Sequence, residues 1–117
     1  MNTRKIGMEY ENRAAEWLEG HGYEILCRNF RSSYGEIDII ARQESCLVFV
    51  EVKYRKNHGS GRPEEAVSRE KQRKLSRTAD YYRLKQRISE EIPCRFDVVA
   101  IEKEEIRHYE NAFAYIW

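Results

Sequence analysis

A chain of 117 residues fits one domain, because two independent cores of half that size would each bury too little apolar surface. With 41% hydrophobic residues, 35% charged residues and fourteen aromatics it is globular, which excludes a solvated tail. It has neither a run of about eighteen apolar residues nor a signal-peptide-like hydrophobic start, so a cytoplasmic protein with no membrane partner is expected. The net charge of +1 conceals a division: residues 52–87 hold twelve Lys or Arg against four Asp or Glu, and the remainder holds nine against sixteen. A polyanion-binding surface needs such asymmetry, although a solvated basic helix face gives the same count.

In chain order, residues 4–20 are expected to be helical, with Met8, Glu11, Ala15 and Leu18 at spacings of three or four and Gly20 and Gly22 as the stop. Three strands follow, over residues 23–30, 36–42 after the Ser32-Ser33-Tyr34-Gly35 turn, and 47–54. Residues 55–62 read as an exposed loop, and Pro63-Glu64-Glu65 as the N-terminus of a helix running to about Ile88. Two more strands are expected over 94–101 and 106–117, the last with Phe113, Tyr115 and Trp117 alternating on one face. This order predicts a single α/β or α+β domain with a mixed sheet of about five strands flanked by helices. Cys27, Cys46 and Cys94 are scattered and odd in number, and are expected to be buried thiols. His21, His58 and His108 lack any ligand spacing and are assigned no chemistry.

Chemistry enters at the second and third strands. Asp38 stands in Gly35-Glu36-Ile37-Asp38-Ile39-Ile40-Ala41, where apolar neighbours and β propensity disfavour an acid. In Val48-Phe49-Val50-Glu51-Val52-Lys53-Tyr54, period-two alternation puts Leu47, Phe49, Glu51 and Lys53 on one face. Two carboxylates on sequential strands with a nearby ammonium suit phosphodiester hydrolysis. Asp38, Glu51 and the Val52 carbonyl would hold Mg²⁺ through hard oxygens, and Lys53 would position the attacking water. The plainer alternative is an amphipathic strand ending in Glu51 and Lys53, with Asp38 paired to an Arg. Glu11 on the first helix and Lys71 among Val67, Leu75, Ala79 and Tyr82 on the second also fall where spacing predicts burial. The four charges are expected to point at one side of the core, where a shared site would offset their burial. On the second helix, Arg69, Lys71, Arg73, Lys74 and Arg77, with Arg55 before it, are candidate phosphate contacts without sequence specificity.

The ordered set Gly7-x-x-x-Glu11-x-x-Ala14-Ala15-x-x-Leu18, Gly22-Tyr23-x-Ile25-Leu26-x-Arg28-Asn29-x-Arg31, Gly35-Glu36-Ile37-Asp38-x-Ile40-Ala41, Val48-Phe49-Val50-Glu51-Val52-Lys53-x-Arg55, Ala66-Val67 with Lys71-Gln72, and Cys94-Arg95-Phe96-Asp97-Val98-Val99 resembles the PD-(D/E)XK nuclease superfamily. Within it the chain is most similar to the small bacterial YraN-like proteins, which look like archaeal Holliday junction resolvases. The resemblance implies a restriction-endonuclease-like core with Asp38, Glu51 and Lys53 as the triad and Glu11 as the additional helix acid. Tyr10, where many relatives have Gly, and Gln43, where an acid is common, depart from the pattern without touching the triad.

The expected function is therefore a Mg²⁺- or Mn²⁺-dependent endonuclease acting on branched or damaged DNA, with a symmetric homodimer needed to cut both strands. The competing reading is a non-catalytic nucleic-acid-binding module in DNA or RNA processing. A protein-interaction domain using Phe113, Tyr115 and Trp117 is a third, weaker alternative.

Overall fold

A computed structural model describes residues 3–54 and 67–117, with side chains from residue 7 onward. Helix α1 (Thr3–Gly20) buries Ala14, Ala15 and Leu18 at helical spacing. It ends because Gly22 takes φ +90°, so that the Tyr23 N–H turns back to the Leu18 carbonyl at 3.0 Å. Strands β1 (Glu24–Ser32), β2 (Gly35–Gln43) and β3 (Cys46–Tyr54) then form an antiparallel meander. Helix α2 (Arg69–Lys85) carries the chain back so that β4 (Cys94–Glu102) pairs parallel to β3, from Leu47↔Cys94 to Tyr54↔Ile101. Strand β5 (Glu105–Phe113) closes the sheet antiparallel to β4, and the spatial order is β1-β2-β3-β4-β5.

The result is an α+β fold with a mixed five-stranded sheet between two helices, compatible with a restriction-endonuclease-like core. Alternation along β3 divides the core. Val48 and Val50 join Ala14, Leu18, Ile39, Val99 and Ile101 under α1, whereas Leu47 and Phe49 join Leu75, Ala79, Tyr82, Phe96 and Val98 under α2. No helix among the described residues is long and apolar enough to cross a membrane.

Three expectations shift. Helix α2 begins at Arg69, not Pro63, because the Ser68 side chain accepts the Lys71 N–H at 3.1 Å as N-cap; Pro63 and the 55–62 segment lie outside the described residues. It ends at Lys85 because Arg87 takes φ +55° and the Ile88 N–H returns to the Arg83 carbonyl at 2.9 Å. Strand β5 stops at Phe113, after which the Ile116 N–H bonds to Ser76 Oγ at 3.1 Å. The Phe113, Tyr115, Trp117 alternation therefore ends with Phe113 buried, Tyr115 half-buried and Trp117 exposed. The three cysteines are free and only half-buried.

Candidate functional site

A paired irregularity in β1 and β2 places Asp38. Ile37 and Ile40, three residues apart, both lie in the core under α2, and opposite them Cys27 and Phe30 do the same. Between these pairs sit Asp38 and Asn29, flanked by the Arg28↔Ile39 and Phe30↔Ile37 partners, with Asn29 in the left-handed region at φ +54°. Pairing of β2 with β3 ends at Ile39↔Val50. Beyond it the Asp38 carboxylate takes the place of a strand partner, accepting the Val52 N–H through Oδ2 at 2.8 Å. The strands part there around a cleft of about 420 Å³, lined by Tyr10, Glu11, Asn29, Asp38, Val52 and Tyr54 among others.

Glu51 is buried on the α2 side. Its Oε1 lies 2.7 Å from Lys71 Nζ and 3.9 Å from Lys53 Nζ. The Ser68 cap sets Lys71 in the first turn of α2, which is what lets it reach back to β3. The Glu51 hydrogen bond holds the Lys71 ammonium above its ordinary range against the opposing effect of burial. Burial and the neighbouring Lys71 charge push Lys53 down. Among the described residues no such cation is in direct contact with Asp38. Burial, followed by the Glu51 charge, raises its carboxyl to about 7, and the Val52 N–H and Lys71 only partly relieve this.

Glu11 is held from the opposite face of the sheet. Arg28 Nε and Asn29 Nδ2 both donate to its Oε1, at 2.8 and 3.0 Å, while Arg28 Nη2 donates to Asn12 at 2.6 Å. The expectation that Glu11, Glu51, Lys53 and Lys71 point at one side of the core is thus corrected. Glu11 belongs to the α1 face with Asp38 at the cleft, and Glu51 with its two lysines belongs to the α2 face. Asp38 stands where β2 and β3 part, and the Glu51 charge reaches it from the α2 face. Arg28 and Asn29, the residues that orient Glu11, stand in the sequence as a polar pair within a stretch that carries the family resemblance, and no role was assigned to them.

Of the candidate phosphate contacts, Arg69, Arg73 and Lys74 are exposed along α2, Lys74 lying 3.6 Å from Glu70. Lys71 is committed to Glu51. Arg77 is tied to the C-terminal segment, donating to the Ile116 carbonyl, lying over the Tyr115 ring at 5.6 Å and reaching Asp80 at 3.7 Å. Arg55 lies outside the described residues.

Sequence reasoning also missed a second charged centre. Asp97 on β4 is fully buried on the α1 face, accepting from Arg95 Nε at 2.9 Å, the Asn111 N–H at 2.9 Å and His108 Nε2 at 2.7 Å. Burial alone would raise its carboxyl, but these donors hold it below the usual range. Arg95 also donates to the Tyr23 hydroxyl at 2.7 Å and to Gln43 Oε1 at 2.9 Å. His108, assigned no chemistry from sequence, is thus a partner of the buried acid, packed edge-on against Trp17 and Tyr23. Every acceptor position is used, so this centre supports the fold and leaves nothing free for a ligand.

Among the described residues no three His, Cys, Asp or Glu side chains converge at metal-binding distance. A Mg²⁺ ion takes one or two carboxylates and keeps several waters, and the Asp38 and Glu51 carboxylates with the Val52 carbonyl fit that requirement. Burial first, and then the Glu51 charge, oppose the Asp38 carboxylate, and a divalent cation would offset both. Among known proteins, the family model described as "Uncharacterised protein family UPF0102" matches residues 10–101. A UPF0102 protein of Lachnoclostridium phytofermentans is 54% identical over 97% of this chain and 96% of its own length. Similar proteins of Persephonella marina (46% identical, 92% of this chain and 91% of theirs) and Vibrio parahaemolyticus (42%, 97% and 95%) carry the same family name.

Proposed function

The chain belongs to the uncharacterised protein family UPF0102, and for it we propose a cytoplasmic Mg²⁺- or Mn²⁺-dependent endonuclease of the PD-(D/E)XK type that hydrolyses DNA phosphodiester bonds. The observation that supports this reading best is the place where β2 and β3 part: the Asp38 carboxylate turns to the Val52 N–H in the cleft there, and the charge of Glu51, 3.9 Å from Lys53, reaches Asp38 from the α2 face. Asp38, Glu51 and the Val52 carbonyl would hold the metal, which when bound supplies a Lewis acid for the phosphate and a more acidic water. Lys53, depressed by burial, donates a hydrogen bond to the attacking water or to a non-bridging phosphate oxygen. Lys71 pairs with the Glu51 carboxylate and fixes its direction. Arg28 and Asn29 do the same for Glu11, the additional acid at the cleft. A symmetric homodimer would bring two such sites to the two strands of branched or damaged DNA.

Purified protein should nick or cut DNA in Mg²⁺ or Mn²⁺ and stop on addition of chelator. Linear, flapped and four-way-junction substrates are the screen. Lys53→Ala should slow cleavage by about 10²-fold or more, the size expected for losing one preorganised charge at a transition state, and Asp38→Ala and Glu51→Ala should abolish it. Wild type that cuts no substrate, or variants that cut as well, would leave the second reading. That reading, a non-catalytic nucleic-acid-binding module, is favoured by one observation: Lys71 already serves Glu51 as counter-ion at 2.7 Å.

Binding should be electrostatic and independent of sequence. Replacing Arg69 and Arg73 by Ala should flatten the slope of log K against log salt by up to about 0.9 for each phosphate no longer neutralised. Arg77→Ala, tied to Ile116 and Asp80, should change that slope less. Titrations at several salt concentrations decide it, and an unchanged slope in the double variant would move the nucleic-acid surface off α2.

A further inference from the structure

We propose that Tyr10 and Tyr54 form a stacking site for one unpaired nucleobase at the mouth of the cleft, so that the strand bound there presents an unpaired nucleotide beside Asp38. The proposal rests on the nucleic-acid reading above and specifies its substrate class. The two rings stack with centroids 4.1 Å apart and planes inclined by 21°. The Arg13 guanidinium lies 5.5 Å from the Tyr10 ring centre. Tyr10 is half-buried and packs against the core under α1, so it is anchored. Tyr54, the last residue of β3, belongs to neither core cluster and remains 40% exposed. A tyrosine held flat by a neighbouring ring yet left open to solvent contributes little to the core. It is a preorganised apolar surface, and binding to it loses little side-chain freedom.

Position gives the surface its role. Both rings line the same cleft as Asp38, Glu11 and Val52, and its volume of about 420 Å³ falls within the range of small-ligand sites. Arg31 and Glu36, paired at 3.0 Å, form another part of the lining, so the opening is polar where a sugar and phosphate would pass. Bases within a duplex have both faces covered by neighbours. Only an unpaired base can add its face to the Tyr10–Tyr54 stack, and every base has such a face, so the site selects strand state and not sequence.

The test is equilibrium binding in chelator, with a fluorescein-labelled single strand, a flapped duplex and a blunt duplex of the same length. Tyr54→Leu should weaken the single strand and the flap by roughly 10-fold, the order expected for losing one base–aromatic stack, and leave the blunt duplex unchanged. Tyr54→Phe should bind all three as wild type does. A 2-aminopurine in the single strand should be quenched by wild type and by Tyr54→Phe, a readout that needs no damaging substitution. Equal weakening of all three ligands by Tyr54→Leu, or no weakening and no quenching, overturns the stacking site while the nuclease reading stands. Wild type that binds none of the three overturns both.

Discussion

Replacing Asp97 by Ala is expected to destabilise the protein by about 3–5 kcal/mol, the range for removing one partner from a buried ion pair. The substitution leaves the Arg95 guanidinium, the Asn111 N–H and the His108 ring without the acceptor they now share. Total stabilities of domains this size run from about 5 to 15 kcal/mol, so the variant should lose a large part of its fold by urea melt at neutral pH. Glu110→Gln is the control. Glu110 is exposed and 4.0 Å from the same Arg95, so it should cost no more than about 1 kcal/mol. The pH dependence has a definite sign. Because Asp97 is held below the usual carboxyl range, the stability it contributes is present above about pH 4 and is lost as pH falls through its folded value. Asp97→Ala should therefore show a shallower acid limb than wild type. A variant that melts within about 1 kcal/mol of wild type would mean that β4 and β5 are held by apolar packing alone.

Asp38→Asn should act in the opposite direction. In chelator at pH 8 the variant is expected to be more stable than wild type, by at most about 4 kcal/mol for a shift of some three pH units and by less where the site relaxes. The folded carboxyl sits at about 7 because burial and Glu51 oppose its charge. Below about pH 4 both folded and unfolded forms hold the proton and no penalty exists. Between that value and about 7 the unfolded chain ionises first, so wild-type stability should fall with rising pH and then level off. Asn keeps an oxygen for the Val52 N–H and removes the slope. Glu51→Gln should behave differently, since it strips Lys71 of a partner at 2.7 Å and should not stabilise. Parallel stability curves for wild type and Asp38→Asn from pH 4.5 to 8.5 would sink the account of Asp38 as an uncompensated acid. Mg²⁺ should raise the melting temperature of wild type more than that of either variant, as linkage requires of a ligand bound through those oxygens.

Period-two alternation made β2 and β3 legible, and with them Asp38, Glu51 and Lys53 as charges continuing an apolar pattern. Helix spacing marked Glu11 and Lys71 for burial but not which face of the sheet each helix covers, so Glu11 was put on the wrong side. The change of parity in β1 and β2 at Asn29 and Asp38 was not legible either, because no local pattern of residue types announces it. The start of α2 was misplaced because Pro63 and Ser68 are both good openings, and Ser68 is the residue whose oxygen meets the Lys71 N–H. The acid in Phe96-Asp97-Val98 was legible only as part of the family resemblance. Its role was not, because its network draws on Tyr23, Gln43 and His108, brought together only by the completed sheet.

The two outer strands share a property with a consequence for the protein in concentrated solution. Strand β1 breaks register between Ile25 and Cys27 and turns left-handed at Asn29, and β5 breaks against β4 between Phe96 and Val98 and turns left-handed at Asn111. Each also carries exposed charges, Arg31 on one side and Arg107 and Glu110 on the other. Neither edge presents the flat, uninterrupted row of amides and carbonyls on which a foreign strand could align. Crowding copies of this chain should therefore not fuse their sheets into ribbons, and two copies that associate must meet through side chains on helices and loops.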